Sequence, residues 1–265
     1  MKLSNFSEIS KSYEKTSIIQ NEASEFLFEL LKIQPYEDVL DLGCGPGHIT
    51  QKIKELTNGI VIGVDPSEGM ITQAREKYRN IEFLLCSAEN INFQKNFDVI
   101  FCNSTFQWFE NHNLVLINCF NALKDGGRIG IQAPAGKIYS PNFQEAIQKV
   151  KAHPKLGDIF FHFKAPWLFR ETAEEYSNLF KNVGFTITFA EIRTITTPYP
   201  SAKVFDIFKS GASAGYINQK YYSVPIDKEY QRKFLKIIKQ SFSEQAKNDI
   251  IDLVFNRIFL VAEKR

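Results

Sequence analysis

The chain has no apolar run long enough to cross a bilayer. Its longest, such as Ile60–Val64 and Phe97–Phe101, fall far short of the roughly 20 residues that a spanning helix needs. Met1-Lys2-Leu3-Ser4-Asn5-Phe6 carries one Lys with no continuous apolar stretch behind it, so the expectation is a cytoplasmic protein without a signal peptide. Cysteine is scarce. Cys44, Cys86, Cys102 and Cys119 are irregularly spaced and form no Cys-x-x-Cys pair, which favours buried thiols over a zinc site or disulfide framework. Histidine is equally scarce: His48, His112, His153 and His162 show no helical i, i+3 or i, i+4 pairing, and no metal is expected. With 14 Gly, 10 Pro and 44% hydrophobic residues among 265, disorder and collagen-like structure are excluded. Charge of one sign is lacking too. The 32 Lys and Arg against 30 Asp and Glu leave +2, too even for a protein whose main task is to coat nucleic acid.

What is present is a rhythm of short buried strands and amphipathic helices. Apolar positions Ile19, Ala23, Phe26, Leu27, Leu30 and Leu31 predict a first helix over Ser17–Lys32. Strands follow at 38–42, 60–65, 81–86, 97–102 and 128–132, separated by helices at 48–56, 67–78 and 113–123, with a turn at Asp125-Gly126-Gly127. Such alternation predicts a parallel sheet covered on both faces. Thr172 with Glu175 three residues on is a capping box, and the helix it opens closes at Gly184. The runs 185–197 and 252–263 predict an antiparallel strand pair at the end of the chain. The fold class is therefore α/β: a Rossmann-like, seven-stranded, mostly parallel sheet with an antiparallel C-terminal pair.

Two stretches, 135–170 and 198–248, break the rhythm and are expected to form a small helical cap on a core made of 1–134, 171–197 and 249–265. They carry 15 Lys or Arg against 6 Asp or Glu, a net of +9, while the rest of the chain sums to −7. Lys here either decorates solvated helices or forms a basic rim that faces an acidic substrate or partner.

The sharpest signal is Val39-Leu40-Asp41-Leu42-Gly43-Cys44-Gly45-Pro46-Gly47, with Asp65 24 residues after Asp41. Glycines let a backbone approach a ligand closely, the helix that follows offers free N–H groups, and Asp65 ends a strand where its carboxylate can accept from ribose hydroxyls. That implies an adenosine-containing cofactor. A dinucleotide loop would want Gly-x-Gly-x-x-Gly, but the position three after Gly45 is His48, which leaves a nicotinamide enzyme as runner-up. Asp-x-Gly-x-Gly-x-Gly instead resembles motif I of class I S-adenosylmethionine-dependent methyltransferases. Ser87-Ala88-Glu89 after the third strand and Asn103-Ser104-Thr105-Phe106-Gln107-Trp108 after the fourth continue that resemblance over roughly residues 10 to 134.

The resemblance implies S-adenosylmethionine as cofactor and S-adenosylhomocysteine as product. By it, the loop with Asp41, Gly43, Cys44, Gly45 and Gly47 would hold the methionine part, and Asp65, followed by Pro66, the ribose. Met70, Ala88 and Glu89 would surround the adenine and Asn103 would lie beside the sulfonium. Tyr13 could close over the cofactor or staple the first helix, and Asn103, Gln107 and Trp108 are further positioning candidates. For each there is an ordinary structural use as well: Met70 as helix-face core, Glu89 as a cap, Asn103 as a turn residue.

A carboxylic acid is already ionised at pH 7 and needs no base, whereas an alcohol does. The segment Asn103–Trp108 contains no Asp, Glu, His or Lys, which suits a carboxylate acceptor. A narrower resemblance agrees: Ser12-Tyr13-Glu14 with Gln20 and Ala23, then 103–108, then Gly211-Ala212 look like the malonyl-acyl-carrier-protein O-methyltransferases of biotin synthesis. Phe106-Gln107-Trp108 is shared with trans-aconitate methyltransferases. The partner expected on this ground is a small carboxylate or an acyl-carrier-protein thioester, and the basic insertions would suit that acidic carrier or coenzyme A. Arg170, Arg193 and the Lys of the insertions are candidates for holding a substrate carboxylate. Two other readings stand beside this one, a methyltransferase acting on an amine, lipid or hydroxyl and a non-catalytic cofactor-binding module.

Overall fold

The computed structural model describes residues 18–265, with side chains from Ser24 onward. Seven strands form one sheet in the order β3-β2-β1-β4-β5-β7-β6: β1 Val39–Leu42, β2 Val61–Asp65, β3 Glu82–Leu85, β4 Phe97–Asn103, β5 Leu123–Pro134, β6 Thr186–Pro200 and β7 Ile250–Glu263. The first five run parallel, and β7 is antiparallel to both β5 and β6. The expected fold class is borne out. Central strands such as β1 and β4 are buried along almost their whole length, because helices cover both faces and no side of the strand meets water.

Helices at Ile18–Leu31, His48–Leu56, Glu68–Lys77, His112–Ala122 and Ala173–Lys181 flank the sheet. The last opens on the expected capping box, in which Thr172 Oγ1 accepts from Glu175 N at 3.1 Å and the Glu175 carboxylate accepts from Thr172 N at 3.1 Å. One apolar cluster on the sheet is built around Leu40, Ile100, Phe106, Ile131 and Phe180. On the opposite face Leu27, Leu31, Ile53 and Phe101 form another.

The turn expected at Asp125–Gly127 falls within the bounds of β5, which starts at Leu123. Pairing with β4 jumps from Phe97↔Leu123 to Val99↔Arg128, so the extra residues bulge out of the strand around Gly126, whose φ is +81°. The last two strands also run past their expected ends. β6 extends to Pro200 and β7 begins at Ile250, and the two prolines Pro198 and Pro200 are tolerated because β6 is the sheet edge.

β5 stops pairing with β7 at Pro134↔Arg257, while β6 and β7 remain paired as far as Pro200↔Ile250. A two-stranded ribbon therefore overhangs the sheet. Its buried residues Ile251, Leu253 and Phe255 alternate along β7, one face of a pleated strand. The helices Pro141–Ala152, Ser201–Ser210 and Lys228–Gln245 from both irregular stretches pack on it, in a cluster of their own around Phe143, Phe208, Phe234 and Phe242. That second core stands over the carboxyl ends of the parallel strands.

Candidate functional site

The carboxyl ends of β1, β2 and β4 open on a cavity of about 470 Å³, the size range of a small-molecule site. Its floor is the glycine turn. Gly43 has φ +81° and lies so close to Thr105 that a β-carbon would come within 2.3 Å of it. Gly45, at φ +55°, has open space where a β-carbon would sit. The turn is thus locked behind by the loop after β4 and bare in front, as a loop that lets a ligand touch its backbone has to be.

Asp65 ends β2 and ties the floor together. Its Oδ2 accepts from Gly45 N at 3.0 Å and its Oδ1 from Ser67 N at 2.8 Å. Desolvation in the cavity wall outweighs these two bonds and pushes the carboxyl up to about 6. Asp41 lies one layer behind, fully enclosed, with Oδ2 accepting from Thr50 Oγ1 at 2.7 Å. Burial raises it to about 7, opposed by Thr50 and assisted by the charge of Asp65. Cys44 lines the cavity as a buried thiol pushed well above its usual range by desolvation first and the two aspartates next. It is no nucleophile at neutral pH. The four cysteines are free thiols, and no group of three or more His, Cys, Asp or Glu with metal-binding geometry occurs among the described residues.

Of the residues named from sequence, Gly43, Cys44, Gly45, Asp65, Pro66, Met70, Ala88, Glu89, Asn103 and Trp108 line this cavity together. Asp41 and Gly47 support the turn from outside the lining: Gly47 begins the helix at His48 and packs against Phe83 and Tyr78. Gln107 faces a second cavity. Tyr13 lies outside the described residues.

The second cavity, of about 70 Å³, lies under the cap and meets the first at Ser104 and Trp108, which line both. Its walls are largely aromatic. Trp108 meets Trp167 edge to face at 5.4 Å, and Tyr139 stacks on Phe169 at 5.0 Å. Gly211 and Ala212 of the second insertion complete the lining. The backbone N–H of Leu168 donates to Gln107 O at 3.0 Å and fastens the first insertion to the loop after β4.

Sequence reasoning missed the charged residue of this cavity. Arg257 is 2% exposed and sits where β7 leaves β5. Its Nη2 donates to Ser104 Oγ at 2.7 Å, and that hydroxyl donates on to Gln132 Oε1 at 2.9 Å. Gln107 Nε2 donates to Ser104 O at 2.8 Å. Ser104 itself has φ +57°, a strained conformation for a residue with a β-carbon, held at the junction of the two cavities. Arg193, by contrast, lies half exposed on β6, paired with Glu191 and stacked on Phe26. The available signal was Arg257 itself, a cation within the apolar run 250–262.

A cavity of this size at the carboxyl edge of a mostly parallel sheet, floored by a glycine turn and walled by an acidic strand end, stands where open α/β folds bind their ligands. A family model described as a methyltransferase domain matches residues 33–188, and the chain belongs to that family. A malonyl-[acyl-carrier protein] O-methyltransferase of Bacillus cereus is 32% identical over 168 residues, covering 59% of this chain and 62% of that protein. The chain thus spans less than two thirds of that relative's length. A trans-aconitate 2-methyltransferase of Methylobacterium nodulans is 25% identical over 231 residues, 85% of this chain and 86% of that one. Among solved structures, the YcgJ protein of Bacillus subtilis superposes with a TM-score of 0.62 at 15% identity, covering 92% of this chain and 99% of that one. That last likeness concerns the fold.

Proposed function

We propose that the chain transfers the methyl group of S-adenosylmethionine to a carboxylate oxygen of a small acid or malonyl thioester. The observation that carries the acceptor class is the lining of the smaller cavity. Among the described residues it holds no carboxylate, imidazole or amine, so none of them can take a proton from an alcohol or ammonium at neutral pH. Its phenol, Tyr139, is held well above its usual range by burial and is no base at neutral pH. An acceptor methylated there arrives already deprotonated, as a carboxylate does.

The larger cavity fits the cofactor. The bare face of Gly45 would receive the methionine moiety, Asp65 would accept from the ribose hydroxyls, and Met70, Ala88 and Glu89 would enclose the adenine. Bound there, the cofactor supplies an electrophilic methyl on a sulfonium. The chain's own part is then positional: Asn103, Ser104 and Trp108 set the passage between the two cavities, and the aromatic cap excludes water. Holding nucleophile and electrophile in line in this way is worth several kcal/mol. The names of the two relatives, a malonyl-[acyl-carrier protein] O-methyltransferase and a trans-aconitate 2-methyltransferase, support the same reading, with the two insertions acting as the acceptor-side cap.

The test is methyl transfer from labelled S-adenosylmethionine to malonyl-coenzyme A, malonyl-acyl-carrier protein and trans-aconitate, with product label challenged by mild base. Base-labile label is the expected result. Base-stable label, or transfer only to amines, would overturn the carboxylate reading.

A further inference from the structure

The smaller cavity is more specific than a carboxylate site in general. Among the described residues it joins one buried cation to a largely aromatic wall that also holds Ser104 and Gln107: Trp108, Tyr139, Phe143, Trp167, Phe169 and Phe255 surround it, and Arg257 is its charged member. Its Nη2 donates to Ser104 Oγ at 2.7 Å, and the guanidinium lies 5.7 Å from the Phe255 ring centroid. Arginine cannot shed its charge and presents a planar fork of donors that matches a carboxylate. Next to it, Gln107 Nε2 donates to Ser104 O at 2.8 Å, and behind Ser104 the Gln132 Nε2 donor is buried without a hydrogen-bond partner.

From this arrangement we propose that Arg257 anchors the acceptor's carboxylate at the junction of the two cavities, and that the acceptor is a monocarboxylic acid whose compact apolar body lies among the cap aromatics. The inference rests on the carboxylate reading above and narrows it. A second or third carboxylate, as in trans-aconitate, would have to be buried against aromatic rings with no further cation among the described lining residues, which desolvation opposes. The volume limits the body. A cavity of about 70 Å³ is roughly half the size of one that takes up benzene, so a short aliphatic chain fits and a fused ring system does not. The junction also orients the acid, because a carboxylate drawn to Arg257 comes to lie beside Ser104, which lines both cavities.

The test is calorimetric binding of pentanoate, its neutral isostere pentanamide and trans-aconitate to the full chain saturated with S-adenosylhomocysteine. Pentanoate is expected to bind best, with pentanamide weaker by about tenfold or more, the value of a charge-assisted contact. Arg257→Gln should erase that charge discrimination while cofactor affinity stays the same, a change that a merely structural arginine would not produce. Equal pentanoate affinity in Arg257→Gln, or tighter binding of trans-aconitate than of pentanoate, would overturn the proposal. Should Arg257→Gln fail to hold the cofactor, Ala212→Leu decides: by filling the cavity it should abolish pentanoate binding and spare the cofactor, and retained pentanoate binding would sink the site. The two readings fail separately. Pentanoate that binds as expected but never yields base-labile label leaves the Arg257 site standing and removes carboxylate methylation. Methylated malonyl-coenzyme A without pentanoate binding does the reverse.

Discussion

Arg257 Nη2 and Ser104 Oγ meet at 2.7 Å across 153 positions of sequence, and this bond joins the antiparallel end of the sheet to the loop whose Ser104 lines both cavities. Ser104 pays for its place with a left-handed backbone, φ +57°. Removing the hydroxyl and removing the strain can therefore be separated. Ser104→Ala should lower unfolding stability by about 1.5–3 kcal/mol, the worth of a hydrogen bond to a charged group. Ser104→Gly should lose the same bond but recover about 1 kcal/mol of strain. Chemical denaturation that ranks glycine below alanine would show that the loop's conformation does not depend on this strain.

Asp65 carries a prediction with a sign. Its carboxyl is pushed up to about 6 from an ordinary value of 3.8, yet ribose hydroxyls donate to the ionised form. S-adenosylhomocysteine affinity should be level above pH 7 and fall as pH drops through 6, and Asp65→Asn should flatten that profile. Asp65→Ala should cost about 1.5–3 kcal/mol of cofactor binding at pH 7.5. Isothermal calorimetry across pH checks both, and unchanged affinity in the alanine variant would remove the assigned ribose contact.

Asp41 behaves differently because it faces Thr50 and the protein interior. The folded form holds its proton up to about pH 7 while the unfolded chain sheds it near 3.8, so its contribution to stability is full below 3.8 and is lost as pH rises through 7. Asp41→Asn keeps the shape and an acceptor for Thr50 Oγ1 without a charge. It should stabilise the cofactor-free protein by about 1–3 kcal/mol at pH 8, with the gain fading to nothing by pH 4. A gain that is constant with pH would place its origin elsewhere.

The sheet was legible in the sequence because a parallel strand buried on both faces reads as an unbroken apolar run, and because glycines and aspartates punctuate the ends of β1 and β2. The lining of the larger cavity was legible in part: Gly43, Gly45 and Asp65 sit at strand ends, whose places in space follow from the topology, while Ala88 and Asn103 came from the resemblance to methyltransferases, and one cavity brings all five together. Arg257 was not. Arg170 and Arg193 looked equally suitable, and what selects Arg257 is where β5 pairing stops along β7, a relationship between segments over a hundred residues apart. The overhanging ribbon was hidden likewise, since Pro198 and Pro200 read as the end of a strand unless β6 is known to be an edge.

The two glycines of the turn should separate stability from binding. Alanine at Gly43 forces a β-carbon to 2.3 Å from Thr105 at φ +81°, and should cost more than about 2 kcal/mol of stability as well as cofactor affinity. Alanine at Gly45 meets nothing in the protein at φ +55°, so its stability loss should stay near 1 kcal/mol, while the methyl occupies the bare face that the cofactor would use. Thermal melts paired with S-adenosylhomocysteine titration distinguish the two. Intact binding in Gly45→Ala would move the methionine moiety away from that face.

The cap also reaches the larger cavity. Lys220 and Tyr221 line it, and Lys220 Nζ pairs with Glu110 Oε1 at 2.6 Å while Glu110 N donates to Glu89 Oε1 at 2.9 Å. One polar chain thus runs from the cap to the wall proposed for the adenine. The ion pair is largely exposed, 38% and 62% at its two side chains, so Lys220→Ala should change stability by no more than about 0.5 kcal/mol. Tyr221→Ala removes an aromatic surface from the cavity wall and should weaken S-adenosylhomocysteine by about 1 kcal/mol, roughly fivefold, with little change in melting temperature. Because Ile207, Gly211 and Ala212 of the same insertion line the smaller cavity, cofactor bound against Tyr221 would also steady that wall. Pentanoate affinity should then rise when S-adenosylhomocysteine is present, and the rise should shrink in Tyr221→Ala. Acid binding that is indifferent to cofactor would show that the two cavities act independently.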